Sequence, residues 1–170
     1  MGSDSDAPVL LYIAAYADPD AAQADWDDIK ELAKDKTIKV DGLVLVSRDA
    51  DGKVHEKDNA HTVGVGTAIG AAGGLLIGLI FPPAFLASGA VGAGIGAGIG
   101  GLVSHSEKKE IKAEVANDVP PGSSAIVVLF EEGDEAADIE KALPKASKVS
   151  KHEVDKNSVD QAEAAATVST

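Results

Sequence analysis

The first third of the chain alternates short apolar runs with polar stretches of helical periodicity. Val9–Tyr16 is a continuous apolar run, which predicts a buried strand. Asp18-Pro19-Asp20 follows with the residue types that begin a helix, and the helix is expected to run from Ala21 to Ala33. Its apolar residues recur at spacings of four, three and four, and they are Ala22, Trp26, Ile29 and Ala33. The pattern predicts a strand followed by a helix with one buried face.

A second strand and a short arm complete this first half. Val40–Val46 is rich in β-branched residues and predicts a strand. Asp49–Gly52 has the composition of a turn, and Lys53–Lys57 then forms the second arm of a hairpin. Residues 8–58 are therefore predicted to form a βαβ unit with a hairpin arm.

The last third repeats the same order of elements. Ala125–Phe130 predicts a strand, Gly133–Leu143 a helix, and Lys148–Val154 a closing strand. Ser106–Ala116 predicts an additional linking helix, which places the linking helix and the second half in residues 106–156. Two βαβ halves indicate an α+β fold, specifically a ferredoxin-like antiparallel sheet with two helices on one face.

Between the halves, residues 59–105 have a different composition. From Asn59 to Ser106 the chain contains no Asp, Glu, Lys or Arg. Glycines fall four residues apart in three rows, which are Gly66, Gly70, Gly74 and Gly78; Gly92, Gly96 and Gly100; and Gly94 and Gly98. Such rows predict helices packed closely through glycine, with Pro82 and Pro83 forming the turn of a helical hairpin. A silk-like strand over 92–98 is the alternative, although Val91, Ile95 and Ile99 favour helix.

The hairpin predicts a self-associating structural protein, and its first interpretation is a hairpin embedded in the cytoplasmic membrane. Residues 62–81 and 84–103 are 20 residues each, a length that spans a bilayer as helix. Lysines on both flanks would then keep both termini in the cytoplasm, and no export signal or lipid anchor is indicated. The alternatives are a soluble cytoplasmic homo-oligomer or filament with the hairpin as its buried core, and a carrier of a small molecule or lipid.

Composition excludes several classes of function. The 170 residues contain no cysteine, so disulfides, thiolate nucleophiles and cysteine metal sites are absent. The net charge of -13 argues against nucleic acid as a partner. Gly64–Gly70 is similar to a dinucleotide fingerprint, but no acidic residue lies about 20 residues onward. We therefore expect no enzymatic activity, no metal and no cofactor, with the protein itself and the lipid bilayer as candidate partners.

The remaining polar candidates have simpler explanations. Asp25, Asp27 and Asp28 are expected to form a solvated helix face. His61 and His105 flank the hairpin and are interpreted as polar caps at its base, while His55 and His152 are expected to be isolated surface side chains. Residues 1–7 and 157–170 are expected to be a disordered N-terminus and a flexible tail.

Two segments carry a resemblance to a known family. Gly74–Pro83, with sequence GLLIGLIFPP, lies between the two βαβ halves. Pro121–Ala125, with sequence PGSSA, leads into the first strand of the second half. Over about residues 8–155 the chain resembles a bacterial family of predicted membrane proteins of unknown function. The resemblance implies a ferredoxin-like domain that carries the hairpin, and it implies no catalytic residues.

Overall fold

The computed structural model describes residues 8–40, 42–59 and 105–154. Within them the chain forms five strands and three helices. In chain order these are β1 (Val9–Tyr16), α1 (Pro19–Lys34), β2 (Gly42–Arg48), β3 (Val54–Asn59), α2 (His105–Asp118), β4 (Ser124–Glu131), α3 (Glu135–Lys141) and β5 (Lys148–Val154). The α+β class predicted from the sequence is confirmed.

All five strands belong to one antiparallel sheet with the order β3-β2-β4-β1-β5. The two βαβ units interleave, because β4 lies between β1 and β2 while β1 lies between β4 and β5. We call one end of the sheet the Val9 end, where Val9 pairs with Glu131 and Val154. The opposite end is the Arg48 end, where Arg48 pairs with Val54. Neither half of the chain can complete this sheet alone.

One face of the sheet, the first face, packs against α1 and α3. Trp26 and Ile29 of α1 and Ile139 of α3 are fully buried there. The sheet contributes Tyr12, Ala14, Tyr16, Leu43, Leu45, Ile126, Val128 and Phe130 to the same cluster. Tyr12 and Phe130 meet edge to face, with ring centroids 4.8 Å apart. The buried stripe predicted for α1 is confirmed.

Alternate residues of the same strands form the second face, since successive side chains of a strand point to opposite sides. Its apolar side chains are Val9, Leu11, Ile13, Ala15, Val44, Val46, Val54, Ala125, Val127, Leu129 and Val154, and all are buried. Helix α2 lies on this side and contributes Ile111 and Val115, with Val119 directly after the helix. The sequence predicted α2 as a linking helix and assigned it no face.

Predicted and observed boundaries differ by small amounts at most elements. Helix α1 begins at Pro19, where the Asp18 side chain accepts a hydrogen bond from the backbone N–H of Asp20 at 2.9 Å. Helix α3 is shorter than the predicted Gly133–Leu143, but Leu143 remains buried in the loop that follows. The strand predicted at Val40–Val46 lies two residues further along, at Gly42–Arg48. These shifts leave the order of elements unchanged.

Candidate functional site

The residues that the sequence singles out for self-association lie outside the described residues. They are the glycines of the three rows, Gly66, Gly70, Gly74, Gly78, Gly92, Gly94, Gly96, Gly98 and Gly100, and the turn residues Pro82 and Pro83. The same holds for His61 and for both predicted terminal segments. The described structure therefore bears on the candidate site through the elements that flank it, β3 and α2.

Strand β3 ends toward the Val9 end of the sheet, and helix α2 begins toward the same end. Strand β3 starts opposite Arg48 and ends with Asn59 opposite Val44, so it runs away from the Arg48 end. Helix α2 runs the other way, because the carbonyl of Val119, one residue past its last turn, accepts a hydrogen bond from Arg48 Nη1 at 2.9 Å. The chain consequently leaves β3 and enters α2 toward the same end of the sheet, the Val9 end.

Arg48 holds the far end of α2 in place. It is the one arginine of the chain, and its buried guanidinium also donates from Nε to the carbonyl of Gly52 at 2.9 Å. The two acceptors belong to the β2–β3 turn and to the end of α2. Its backbone N–H donates to the carbonyl of Ser123, and its carbonyl accepts from the N–H of Gly122. Sequence reasoning missed this contact, although a single arginine at the end of a strand is a visible signal.

A second group of polar contacts fixes the middle of α2 over β5. Glu114 accepts a hydrogen bond from Ser150 Oγ at 2.8 Å, and Lys148 Nζ lies 2.8 Å from Asp118 Oδ2. Partial burial of Glu114 acts to raise its pKa, but hydrogen bonds from Ser150 and Lys148 outweigh it and the pKa is lowered. Glu114 is therefore held as a carboxylate that ties the helix to the strand.

The histidines predicted to be isolated both lie beside carboxylates. His152 Nε2 lies 3.1 Å from Glu114 Oε2, with only 19% of the side chain exposed, and His55 Nε2 lies 2.8 Å from Asp49 Oδ2. That prediction was wrong because pairing across strands, and between a helix and a strand, brings distant residues together. The hydrogen bond with His55 is the main cause of a lowered pKa at Asp49.

Ser150, His152 and Glu114 do not form a nucleophilic triad. In such a triad the histidine lies between the serine and the carboxylate and takes the serine proton. Here Ser150 donates directly to Glu114 Oε1, while His152 approaches the other oxygen of the same carboxylate. The arrangement can bind α2 to β5, but it gives Ser150 no base other than a carboxylate of lowered pKa.

Asp25 contradicts the expectation of a solvated acidic face. It is fully buried, and its Oδ2 accepts hydrogen bonds from Tyr16 Oη and from the backbone N–H of Lys145, both at 2.9 Å. The Lys145 ammonium lies 3.7 Å from Oδ1. Asp27 and Asp28 are exposed, as predicted. The sequence contained a signal of this burial, because Asp25 is three residues from Ala22 and four from Ile29 and so lies on the apolar stripe of the helix.

An open groove of about 440 Å³ lies between α1 and α3. Its charged lining is acidic apart from Lys141, and the carboxylates are those of Asp28, Glu31, Asp35 and Asp138. Three of these four residues are exposed, so the groove is a space between two solvated helix surfaces. In the described parts of the chain, no three His, Asp or Glu side chains are grouped so that they could hold a metal ion.

Among the helices that the structure describes, none is both long enough and apolar enough to cross a membrane. The two 20-residue segments predicted to do so, 62–81 and 84–103, lie outside the described residues.

The fold and the flanking elements define an α+β sheet domain with a glycine-rich insertion between its two halves. Residues 67–167, more than half of the chain, match a family described as proteins of unknown function, DUF1269, and the chain belongs to that family. The match begins within the glycine-rich segment and continues through α2, β4, α3 and β5. No curated protein and no solved structure matches the chain. The resemblance drawn from the sequence agrees with a family of unknown function, while bacterial origin and membrane character are not part of the match.

Proposed function

We propose that this protein is a non-enzymatic, self-associating protein whose subunits pack through the glycine rows of residues 59–105. One observation carries the proposal: a segment with no Asp, Glu, Lys or Arg, and with glycine at every fourth position, lies within a chain of net charge -13. Rows of small residues allow helix backbones to approach closely, and that close packing compensates for the low helix propensity of glycine.

The domain that carries this segment is, we propose, a ferredoxin-like domain with one extra edge strand. The interleaving of β1 and β2 with β4 and β5 supports this assignment, because each βαβ unit encloses a strand of the other. In this arrangement β3 is the addition, and the segment 60–104 follows it directly.

The described surface of the domain disfavours other modes of association. The sequence of the edge strand β3 includes Glu56, Lys57 and Asp58, and the opposite edge β5 includes Lys148, Lys151 and Glu153. Charged edge strands resist pairing with another sheet. The excess of acidic residues outside the segment also makes copies repel one another. Association is therefore directed to the uncharged segment.

Leucine substitution within the glycine rows tests the packing. Gly70→Leu combined with Gly96→Leu fills the rows and should reduce the particle to a monomer, as measured by light scattering. Ala72→Leu adds a leucine two residues from both Gly70 and Gly74, about 200° around the predicted helix from each, and should leave the particle size closer to that of the unsubstituted protein. An unchanged particle size in the double variant would refute packing through the glycine rows.

Insertion of the hairpin into the cytoplasmic membrane, with both termini in the cytoplasm, is the second candidate. Its support is the length of the two uncharged segments, 20 residues each. Cell fractionation followed by a carbonate wash separates the two candidates. Retention in the membrane pellet supports insertion, and complete release into the supernatant supports an assembly held together by protein contacts alone.

A further inference from the structure

The second face of the sheet is wider than the described helix that packs on it. Five strands at about 4.8 Å spacing place the outer strands roughly 19 Å apart, whereas a helix with its side chains is about 10–12 Å wide. Glu114 and Asp118 of α2 contact Lys148, Ser150 and His152 of the edge strand β5. The end of the helix reaches β2, where Arg48 Nη1 donates to the carbonyl of Val119. One helix in that position leaves part of the second face to be covered by something else.

The part of the second face farther from the middle of α2 is a strip formed by β2 and β4. Its residues are Val44 and Val46 of β2 and Ala125, Val127 and Leu129 of β4, paired across the two strands. None of these side chains is more than 2% exposed. In a folded domain, such burial requires a layer of apolar atoms on that side of the strip.

The path of the chain indicates which segment supplies that layer. Strand β3 is the neighbour of β2 and runs toward the Val9 end, and α2 returns from the Val9 end beside β5. Residues 60–104, 45 residues long, connect the two. In the strand order β3-β2-β4-β1-β5, the β2–β4 strip lies between the β3 edge and the β5 side of the second face, so a segment that joins them over this face passes the strip. Without charged side chains, the segment can cover the strip and bury no ion.

We propose that residues 60–104 of the same chain dock on the strip formed by β2 and β4 and complete the second face beside α2. This goes beyond self-association: the segment is a structural layer of its own subunit, and only the side facing away from the sheet is available to another copy. The occupant is this segment, rather than lipid or a second subunit.

Photo-cross-linking of the full chain tests the docking. Leucines lie on both faces of the sheet. Leu129 in the strip and Leu11 in β1 are on the second face, and Leu43 and Leu45 are on the first. Photo-leucine can replace leucine without a large change of shape. The purified protein is prepared in light and heavy isotope forms, mixed, irradiated without detergent, and then irradiated again with phosphatidylglycerol vesicles. Cross-linked peptides are identified by mass spectrometry.

We expect Leu129, which belongs to the strip, to cross-link to residues 60–104 within one chain in both preparations. Leu11 lies in β1 beside His152 and should cross-link to α2. Leu43 and Leu45 are the matched controls and should cross-link to α1 and its following loop instead. Pairs of mixed isotope at Leu129 would overturn the proposal in favour of a second copy, and lipid adducts at Leu129 would overturn it in favour of a membrane. Cross-links from Leu129 to α2 alone would also overturn it. Particle size, which tests self-association, is measured separately and can fail independently.

Discussion

Asp25 and Tyr16 show how one buried polar pair connects three parts of the chain. The carboxylate of Asp25 in α1 accepts from Tyr16 in β1 and from the backbone of Lys145 before β5. Burial raises the pKa of Tyr16 far above its usual value, and the charge of Asp25 and its hydrogen bond add to this effect. The native state therefore keeps the Tyr16 phenol protonated at a pH where the unfolded chain ionises it.

Tyr16→Phe tests the pair through the pH dependence of stability. At pH 8 the variant should be less stable by about 1–3 kcal/mol, because Asp25 loses a buried hydrogen bond. The pKa of Tyr16 is higher in the native state than in the unfolded chain. Its contribution to the free energy of unfolding is therefore complete below the unfolded pKa of about 10 and decreases as the pH rises above that value. The advantage of the unsubstituted protein should therefore narrow between pH 8 and pH 11 in urea unfolding.

Tyr12→Phe is the matched control, because the Tyr12 hydroxyl is only partly buried and donates to Glu140 over a longer distance of 3.3 Å. It should cost less free energy of unfolding at pH 8 than Tyr16→Phe. A stability difference between the unsubstituted protein and Tyr16→Phe that stays constant up to pH 11 would contradict the pKa assigned to Tyr16.

Two glycines at the Arg48 end allow the cost of a positive φ to be measured separately from the cost of a side-chain contact. Gly52 and Gly122 have nearly the same positive φ, 87° and 88°. A Cβ at Gly52 would lie 3.3 Å from Arg48 Nη2, whereas a Cβ at Gly122 would meet nothing within 4 Å.

Gly122→Ala should lower the free energy of unfolding by about 1–2 kcal/mol because of its φ alone, and Gly52→Ala should lower it more. Combined with Arg48→Ala, the excess at Gly52 should disappear in a double-mutant cycle followed by chemical unfolding. Equal costs in the single variants would show that Arg48 moves aside freely.

At the scale of elements, β4 is the strand on which both halves of the domain depend. It pairs with β1 on one side and β2 on the other, and its side chains are buried on both faces. Sequence patterning anticipated such a strand, because Ala125–Phe130 is a continuous apolar run with no alternation. The pattern could not identify the neighbours of β4, since those pairings join residues far apart in the chain.

Val127→Ala and Val128→Ala compare the two faces at adjacent positions of β4. Both valines are fully buried, Val128 against the first-face cluster and Val127 on the second face. Each truncation removes methyl groups and leaves a cavity, so each should cost about 2 kcal/mol in urea unfolding. Similar costs are expected if the second face is as well packed as the first. A cost for Val127→Ala near zero would show that the second face is loosely covered.

At the scale of the whole molecule, the distribution of charge opposes the proposed self-association through the uncharged segment. Residues 1–60 contain 14 acidic and 7 basic side chains, and residues 105–170 contain 14 and 8. Two copies brought together through the segment therefore place two acidic surfaces near each other. Salt should screen this repulsion without weakening contacts between apolar surfaces.

Self-association should therefore increase with ionic strength. Raising NaCl from 10 mM to 500 mM shortens the screening length from about 30 Å to well under 10 Å, and the assembled fraction in sedimentation velocity should rise. The Gly70→Leu, Gly96→Leu double variant is the control and should stay monomeric throughout, which separates specific assembly from salting out. Assembly that dissolves at high salt would instead indicate subunits held by ion pairs.

The amino-acid sequence by itself determined the elements of this protein and their order. Strands and helices follow from local periodicity, caps and turns, which act over a few residues, so Val9–Tyr16 and Lys148–Val154 were located at both ends. The sequence also marked residues 59–105 as different, because the absence of charge is visible without a fold. Only the tertiary structure decided the strand order, the position of α2 on the second face, the burial of Asp25 and the role of Arg48. Those features depend on contacts between residues as far apart as Arg48 and Val119, and no local pattern specifies which distant partner a side chain meets.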